Sequence, residues 1–315
     1  MTSAGGSASG SQRRRPSSGA TGETDPAAER LAYLARLIEN VDAHASTFFD
    51  LAAPASELEA DDAQLGPFQL SHLVGHCLAV SLDAQRTVLL VLRNPETGGL
   101  RVPMIGLYPL LRTVMEANSL AIWLLMPDDR AERLRRAIRA RMDDVKHDTS
   151  FSVAATEVEV GDDKPTLSRK NKMRRDREKS ARETKRQLRD LATQAGISVD
   201  DVNVGLPGFG SIIGEAAPAL GLSTNIPKAT WHFVSGLTHP SLSRSVMGSN
   251  VEWVDEDPTS QALFTANFDN TAWAMDAAIY SHLTALKLVA WRGGRPELVW
   301  SPGPDFAPPP GYRRV

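Results

Sequence analysis

The stretch that decides the fold is LYPLLRTVMEANSLAIWLL at residues 107–125. Its apolar residues recur at the spacing of a helix, which predicts one apolar helix from about Met104 to Leu125. Arg112 and Glu116 are four residues apart, so they share one face of that helix. Polar side chains in such a helix cost stability unless they bond to each other or serve a site. The spacing predicts a partly buried Arg–Glu pair, either a structural ion pair or part of a binding site.

A second polar group lies in the segment TWHFVSGLTHPSLS at residues 230–243. Ser235 and His239 are four residues apart, and His232 lies one turn earlier on the same face. His239 ends its helix just before a proline, where the helix dipole favours the charged imidazolium. A cation there suits a carboxylate such as Glu116, or a phosphate. The alternative is structural: His239 caps its helix, and Ser235 bonds back to a carbonyl.

The composition is that of an ordinary globular protein of 315 residues, with 42% apolar residues and a formal net charge of −3. Such a charge argues neither for nor against a polyanionic partner, which only a local patch would reveal. The single cysteine, Cys77, excludes an internal disulfide and is predicted to be a small core residue. No apolar run approaches the ~20 residues of a bilayer-spanning helix, so we predict a cytoplasmic protein without membrane contact.

The capping residues, prolines and helical apolar spacing along the chain predict an all-α protein, a bundle of six to eight helices with disordered termini. Residues 1–24 form a Gly- and Ser-rich disordered tail, 25–292 the helical domain, and 293–315 a Pro-rich extended tail. Besides the helix ending at Leu125, a first helix is predicted to begin at Asp25-Pro26, and a last one to run from Asp257-Pro258 to Trp291. Between them, further helices are predicted over Phe68–Leu92, Arg130–Lys146, Ile212–Leu220 and Lys228–Thr238.

Residues 169–190 form a charge run with eleven Lys or Arg against four Asp or Glu. A helix that is polar on all sides is usually exposed, so we predict a protruding basic arm over residues 164–195. The arm has no aromatic residue for base stacking, but its cations are suited to tracking the phosphate backbone of RNA or another anionic ligand. The alternative is a solvated helix through which the protein forms a homodimer.

Two histidine patterns carry weaker signals. Arg141 and His147 match the loose Arg-x4–6-His pattern of the HEPN helical ribonucleases, although they lie about 120° apart on an ideal helix. In that chemistry the arginine holds a phosphate and the histidine moves protons. His72 and His76 have the spacing of two metal ligands on a helix, but they belong to no known metal motif. With no phosphate loop and no zinc-cysteine pattern, we predict no cofactor and no metal.

The segments LLRTVMEANSLAIWLLMPDDRAERLRR (110–136) and WHFVSGLTHPS (231–241) resemble the DUF5677-like proteins, a group of bacterial helical proteins, and their actinobacterial relatives. The resemblance covers residues 67–290, with the charge run as a variable region. It implies a helical bundle and no established reaction. The resemblance also raises the expectation of a distant kinship with HEPN domains.

Taken together, these patterns predict a polar centre that binds or processes an anionic ligand, RNA being the first choice. Arg112 would hold the anion, Glu116 would orient an arginine or a histidine, and His239 would carry the proton. The predicted ligand-binding residues around them are Ser235, His232, Arg141 and His147. The alternative is a non-enzymatic interaction or assembly protein whose polar centre is structural.

Overall fold

The structure is a computed structural model that describes residues 25–45, 50–253 and 261–296, with Trp253 described by its backbone alone. Within these ranges it contains eleven α-helices and one two-stranded sheet. The elements are α1 Pro26–Ala43, α2 Glu57–Leu65, α3 Leu70–Leu92, α4 Tyr108–Leu125, α5 Arg130–Ala155, α6 Lys164–Gln194, α7 Val199–Asn203, α8 Phe209–Ala216, α9 Asn225–Leu237, α10 Leu242–Gly248, β1 Ser249–Trp253, β2 Ala262–Ala266 and α11 Phe268–Arg292.

Helix α4 lies at the centre of the bundle, between α3 and α11, and also packs against α8 and α9. Most of its residues are buried, including Tyr108 at its start and Trp123 near its end. A helix that is apolar around most of its circumference cannot face water, so its neighbours cover it on several sides. The apolar stretch at residues 107–125 therefore supplies the central helix of the bundle.

The prediction of an all-α helical bundle is confirmed. Asp25 caps α1 by accepting a hydrogen bond from the backbone N–H of Ala27, with Pro26 at the first helical position. Cys77 is buried on α3, as predicted. These start signals and apolar stripes are local, and they agree with the tertiary packing.

The structure has more elements than the predicted six to eight helices. Three of the additional helices, α2, α7 and α10, have nine residues or fewer, too few for a periodic pattern to show. The antiparallel pair of β1 and β2 was also not predicted. The last helix begins at Phe268, not at Asp257-Pro258, because β2 precedes it; that dipeptide, residues 1–24 and residues 297–315 lie outside the described residues.

Helix α6 forms the long exposed arm expected from the charge run. It packs antiparallel to α5 and touches α7 near its end, and only Leu188 and Ala192 on it are buried. Helix α5 is longer than the predicted Arg130–Lys146 and continues to Ala155. The extra turns, residues 147–155, contain no buried residue and carry no apolar stripe; they pack along α6.

The start of α5, the helix against which the arm packs, is held by a buried ion cluster that the sequence did not reveal. Arg133, at the start of α5, is buried and bonds to the carboxylate of Asp61 at 2.7 Å (Nε to Oδ2). Arg292, at the end of α11, donates to the carbonyl of Leu125 and to the side chains of Glu57 and Asp128. Arg292 thereby satisfies a carbonyl at the end of α4, which a helix leaves unpaired. Arg133 donates to the carbonyls of Pro127 and Asp128 in the turn that follows. The two guanidinium groups also fix the angle at which α5 leaves the bundle.

Among the residues that the structure describes, no helix is both long enough and apolar enough to cross a bilayer.

Candidate functional site

The predicted pairing of Arg112 with Glu116 is present, and it links α4 to α9. The Nε atom of Arg112 lies 2.7 Å from a carboxylate oxygen of Glu116, and its Nη1 atom donates to the hydroxyl of Thr238 at 3.1 Å. The same Glu116 oxygen accepts a hydrogen bond from the indole N–H of Trp231 at 2.8 Å. The two charged side chains are 29% and 18% exposed. We call Arg112, Glu116, Trp231 and Thr238 the polar clasp.

The three other predicted members of this centre do not join the clasp. His239 follows the end of α9 and is exposed, and its ring makes no hydrogen bond with any described residue. His232 is exposed, with its ring against that of Trp231 at 4.9 Å between centroids. The hydroxyl of Ser235 likewise has no described partner, although its carbonyl accepts from Thr238. The structure thus brings α4 and α9 together, but the contact is made by Trp231 and Thr238 and not by the predicted Ser235, His232 and His239.

The clasp has the chemistry of a satisfied structural contact. Glu116 accepts two hydrogen bonds, and Arg112 places two of its nitrogens on side-chain partners. The guanidinium also lies 5.9 Å from the centre of the Trp231 ring, within the range of a cation–π contact. Among the described residues, the side chains that bond to the pair are Trp231 and Thr238, and neither is a general acid or base at neutral pH. The geometry therefore stabilises the α4–α9 contact.

The predicted Arg141–His147 pair is not brought together by hydrogen bonds. His147 lies 3.1 Å from a carboxylate oxygen of Asp143 and is largely exposed. Arg141 instead turns toward the start of α3, where its Nη2 atom is 3.5 Å from the carbonyl of Gln69. The two side chains follow the 120° separation that their spacing imposes.

The spacing of His72 and His76 is not completed into a metal site. Both side chains are exposed on α3. Within the described ranges, no group of three or more His, Cys, Asp or Glu side chains is arranged to hold a metal ion.

A buried polar cluster at the meeting of α3, α4 and α11 was missed. The hydroxyl of Ser81 lies 3.0 Å from Nδ1 of His282 and accepts hydrogen bonds from Gln85 and Asn118. All four side chains are almost completely buried, and burial lowers the pKa of His282 to about 3. A lone histidine in the apolar helix α11 gave no spacing signal, because its partners come from two distant helices.

The arm carries the densest unpaired charge of the described structure. Lys172, Arg175, Lys179, Arg182, Arg186 and Arg189 are spaced alternately three and four residues apart. At 100° per residue these six fall within about 100° of arc and extend over ~25 Å. They lie on the side of α6 away from the buried Leu188 and Ala192. We call these six residues the cationic face.

Most of the cationic face is free of neutralising partners. Lys172, Arg175, Lys179 and Arg182 have no carboxylate partner among the described residues, and all are exposed. Arg186 pairs with Glu183 and Asp190 on one edge of the face. Four adjacent cations without carboxylate partners repel one another, and a bound anion relieves that repulsion. The face is therefore suited to binding an anion.

The signal for this face was present in the sequence as a repeat of seven residues. The pattern cation-x-x-Arg-acid begins at Lys172, again at Lys179 and again at Arg186. A period of seven keeps equivalent residues on nearly one line along a helix, with a drift of ~20° per repeat. Counting the charges of the arm did not reveal their alignment.

Comparison of the chain with protein-family models, curated proteins and solved structures finds no significant match.

Proposed function

We propose that this protein binds RNA along the cationic face of α6 and that its polar clasp is structural. The observation that carries the proposal is the row of four aligned cations without a carboxylate partner. Each phosphate that such a cation neutralises releases condensed counterions from the nucleic acid, which is the main source of sequence-independent affinity. The absence of aromatic residues on the face supports contact with the backbone, since stacking of bases needs an aromatic surface.

The same pattern argues against α6 as the seam of a coiled-coil dimer. The three- and four-residue spacing of the face is that of the a and d positions of a heptad, which are apolar in a dimer seam. Here every one of these positions is Lys or Arg. Two copies meeting through this face would place like charges opposite one another.

The test is the affinity for a short single-stranded oligouridylate at ~0.1 M salt, measured by fluorescence anisotropy. Replacing Lys172, Arg175, Lys179 and Arg182 together by Gln keeps helix propensity nearly constant and removes four charges. We expect the affinity to fall roughly a hundredfold or more, because each cation that is removed no longer displaces a counterion from the RNA.

The matched control removes four exposed cations outside the arm, by Gln substitutions at Arg36, Arg93, Arg101 and Lys228. This variant has the same net charge, and we expect it to bind within a few-fold of the wild type. Equal losses in the two variants would show that net charge alone matters and would overturn the proposal. Duplex DNA of the same length serves as competitor, and a preference for DNA would reject RNA as the partner.

A second candidate, self-association through the tip of the arm, is favoured by the exposed apolar side chains there. Phe151 is 75% exposed, and Val158 and Val160 are also exposed in the turn between α5 and α6. Clustered exposed apolar residues commonly mark an interaction site. If the tip forms a homodimer, light scattering will give a dimer mass for the wild type and a monomer mass after Phe151→Gln with Val160→Gln.

A further inference from the structure

A small cationic pocket lies where the arm joins the body. It has a volume of about 170 Å³ and is lined by Met142, Asp143, Lys146, Lys185, Arg189, Asn203 and Gly205. At the ~30 Å³ that a water molecule occupies in the liquid, this is room for roughly five waters or one small oxyanion. We call it the arm-base pocket.

The charges around the pocket leave an excess of cations. Lys146 and Lys185 have no carboxylate partner among the described residues, and Arg189 donates from Nε to the side-chain oxygen of Asn203 at 3.1 Å. The one acidic lining residue, Asp143, is in contact with His147. The three cations and the one carboxylate that surround this space therefore leave a net charge of about +2.

The pocket wall is fastened to the arm. Arg139 of α5 donates to the carbonyls of Val204 and Gly205 at 3.2 and 2.6 Å. This holds the loop after α7 against α5, and the contact between Arg189 and Asn203 holds α6 against the end of α7. The cations of α5 and α6 consequently face a fixed wall, which lowers the entropy cost of binding a small ligand.

We infer that the arm-base pocket binds a phosphomonoester and that, resting on the proposed function, this group is the terminal phosphate of the RNA strand. A phosphomonoester carries a charge of about −1.5 to −2 at pH 7, more than an internal phosphodiester or a carboxylate. The net charge of about +2 around the pocket, from three cations and Asp143, matches that charge. Arg189 belongs both to the cationic face and to the pocket, so a strand that follows the face ends at the pocket.

The test compares oligouridylates that are identical except for a terminal phosphate or hydroxyl, with the phosphate placed at the 5′ end and, separately, at the 3′ end. We expect one phosphorylated form to bind the wild type roughly tenfold more tightly than the hydroxyl form. The double variant Lys146→Gln with Lys185→Gln should lose this preference and bind the hydroxyl form nearly as the wild type does.

The control variant Lys172→Gln, at the far end of the cationic face, should weaken binding of both forms equally and keep their ratio. Equal affinity of phosphate- and hydroxyl-ended RNA for the wild type would overturn the inference while leaving RNA binding by the face intact.

Equilibrium dialysis with inorganic phosphate separates the pocket from the face. If phosphate binds and the double variant abolishes it, while no RNA binds the wild type, the phosphate pocket is supported and the proposed RNA function fails. If phosphate binds but RNA ends are not distinguished, the pocket takes a free phosphate compound and the assignment to RNA ends is overturned.

Discussion

At the scale of the residue, the polar clasp shows how one charged pair can be recognised in sequence and its role still be left open. The pairing of Arg112 with Glu116 follows from their spacing on one helix. The partners that satisfy it, Trp231 and Thr238, are more than a hundred residues away and depend on how α9 docks. The neighbouring His239 looked equally suitable in sequence, but it lies beyond the last turn of α9.

The clasp should therefore matter for stability, and His239 should not. We expect Arg112→Met to lower the free energy of unfolding by about 2 kcal/mol, because it removes hydrogen bonds to a charged, largely shielded group. We expect His239→Ala to change it by less than ~0.5 kcal/mol, as for most exposed positions. Urea titration measures both. Similar losses in the two variants, or RNA cleavage that His239→Ala abolishes, would contradict a purely structural clasp.

The buried His282 makes stability depend on pH in a defined window. Its pKa is lowered to about 3 by burial, whereas an unfolded histidine has a pKa of ~6.5. Below pH ~6.5 the unfolded chain binds a proton that the folded protein does not, so stability falls as the pH falls toward 3. The slope from this one group approaches ~1.4 kcal/mol per pH unit, and it vanishes above pH ~7.

The measurement is the free energy of unfolding between pH 7 and pH 4.5 for the wild type and for His282→Asn. The variant should be less stable at pH 7, yet should show a pH slope smaller by about one proton. His232→Asn, at an exposed position, is the control and should retain the wild-type slope. An unchanged slope in His282→Asn would show that other groups cause the acid sensitivity.

At the scale of the element, sequence reasoning succeeded where a helix is long and carries its own apolar stripe. The faces of α1, α3 and α4 follow from periodicity, and the start of α1 follows from its cap, Asp25. Helix α4 has no capping side chain, and it begins at Tyr108 instead of the predicted Met104. Short elements such as α2 and α10 are too short for an apolar stripe to mark them, although Ser56 caps α2 by accepting a hydrogen bond from the backbone N–H of Glu59. The aligned charges of α6 were visible as a seven-residue repeat, but a count of charges does not resolve the face on which they lie.

The anchoring of α5, the helix against which the arm packs, can be tested at its start. Arg133 and Asp61 are 2% and 1% exposed, and removing Arg133 leaves the buried carboxylate with a single cation, the partly exposed Arg130 at 3.1 Å. We expect Arg133→Met to destabilise the protein by about 3–5 kcal/mol. The double variant Arg133→Met with Asp61→Leu should recover a large part of that loss, because no uncompensated charge remains at Asp61. A double variant as unstable as the single one would contradict this reading of the cluster.

At the scale of the whole molecule, the charge is divided unevenly. Residues 169–190 carry a net +7 within a chain of net charge −3, so the remainder carries −10. An approaching polyanion is attracted to the arm and repelled by the rest of the surface. Overall composition concealed this division, since the opposing charges nearly cancel.

We propose that phosphate contacts along the cationic face drive binding, and the salt dependence of RNA affinity is the measurement that checks this proposal. If the six cations each neutralise one phosphate of single-stranded RNA, the logarithm of the association constant should fall with the logarithm of salt concentration with a slope of about −4. Removing four of them should bring the slope to about −1. A slope near zero for the wild type, or the same steep slope after the four substitutions, would show that the cationic face does not bind RNA through phosphate contacts.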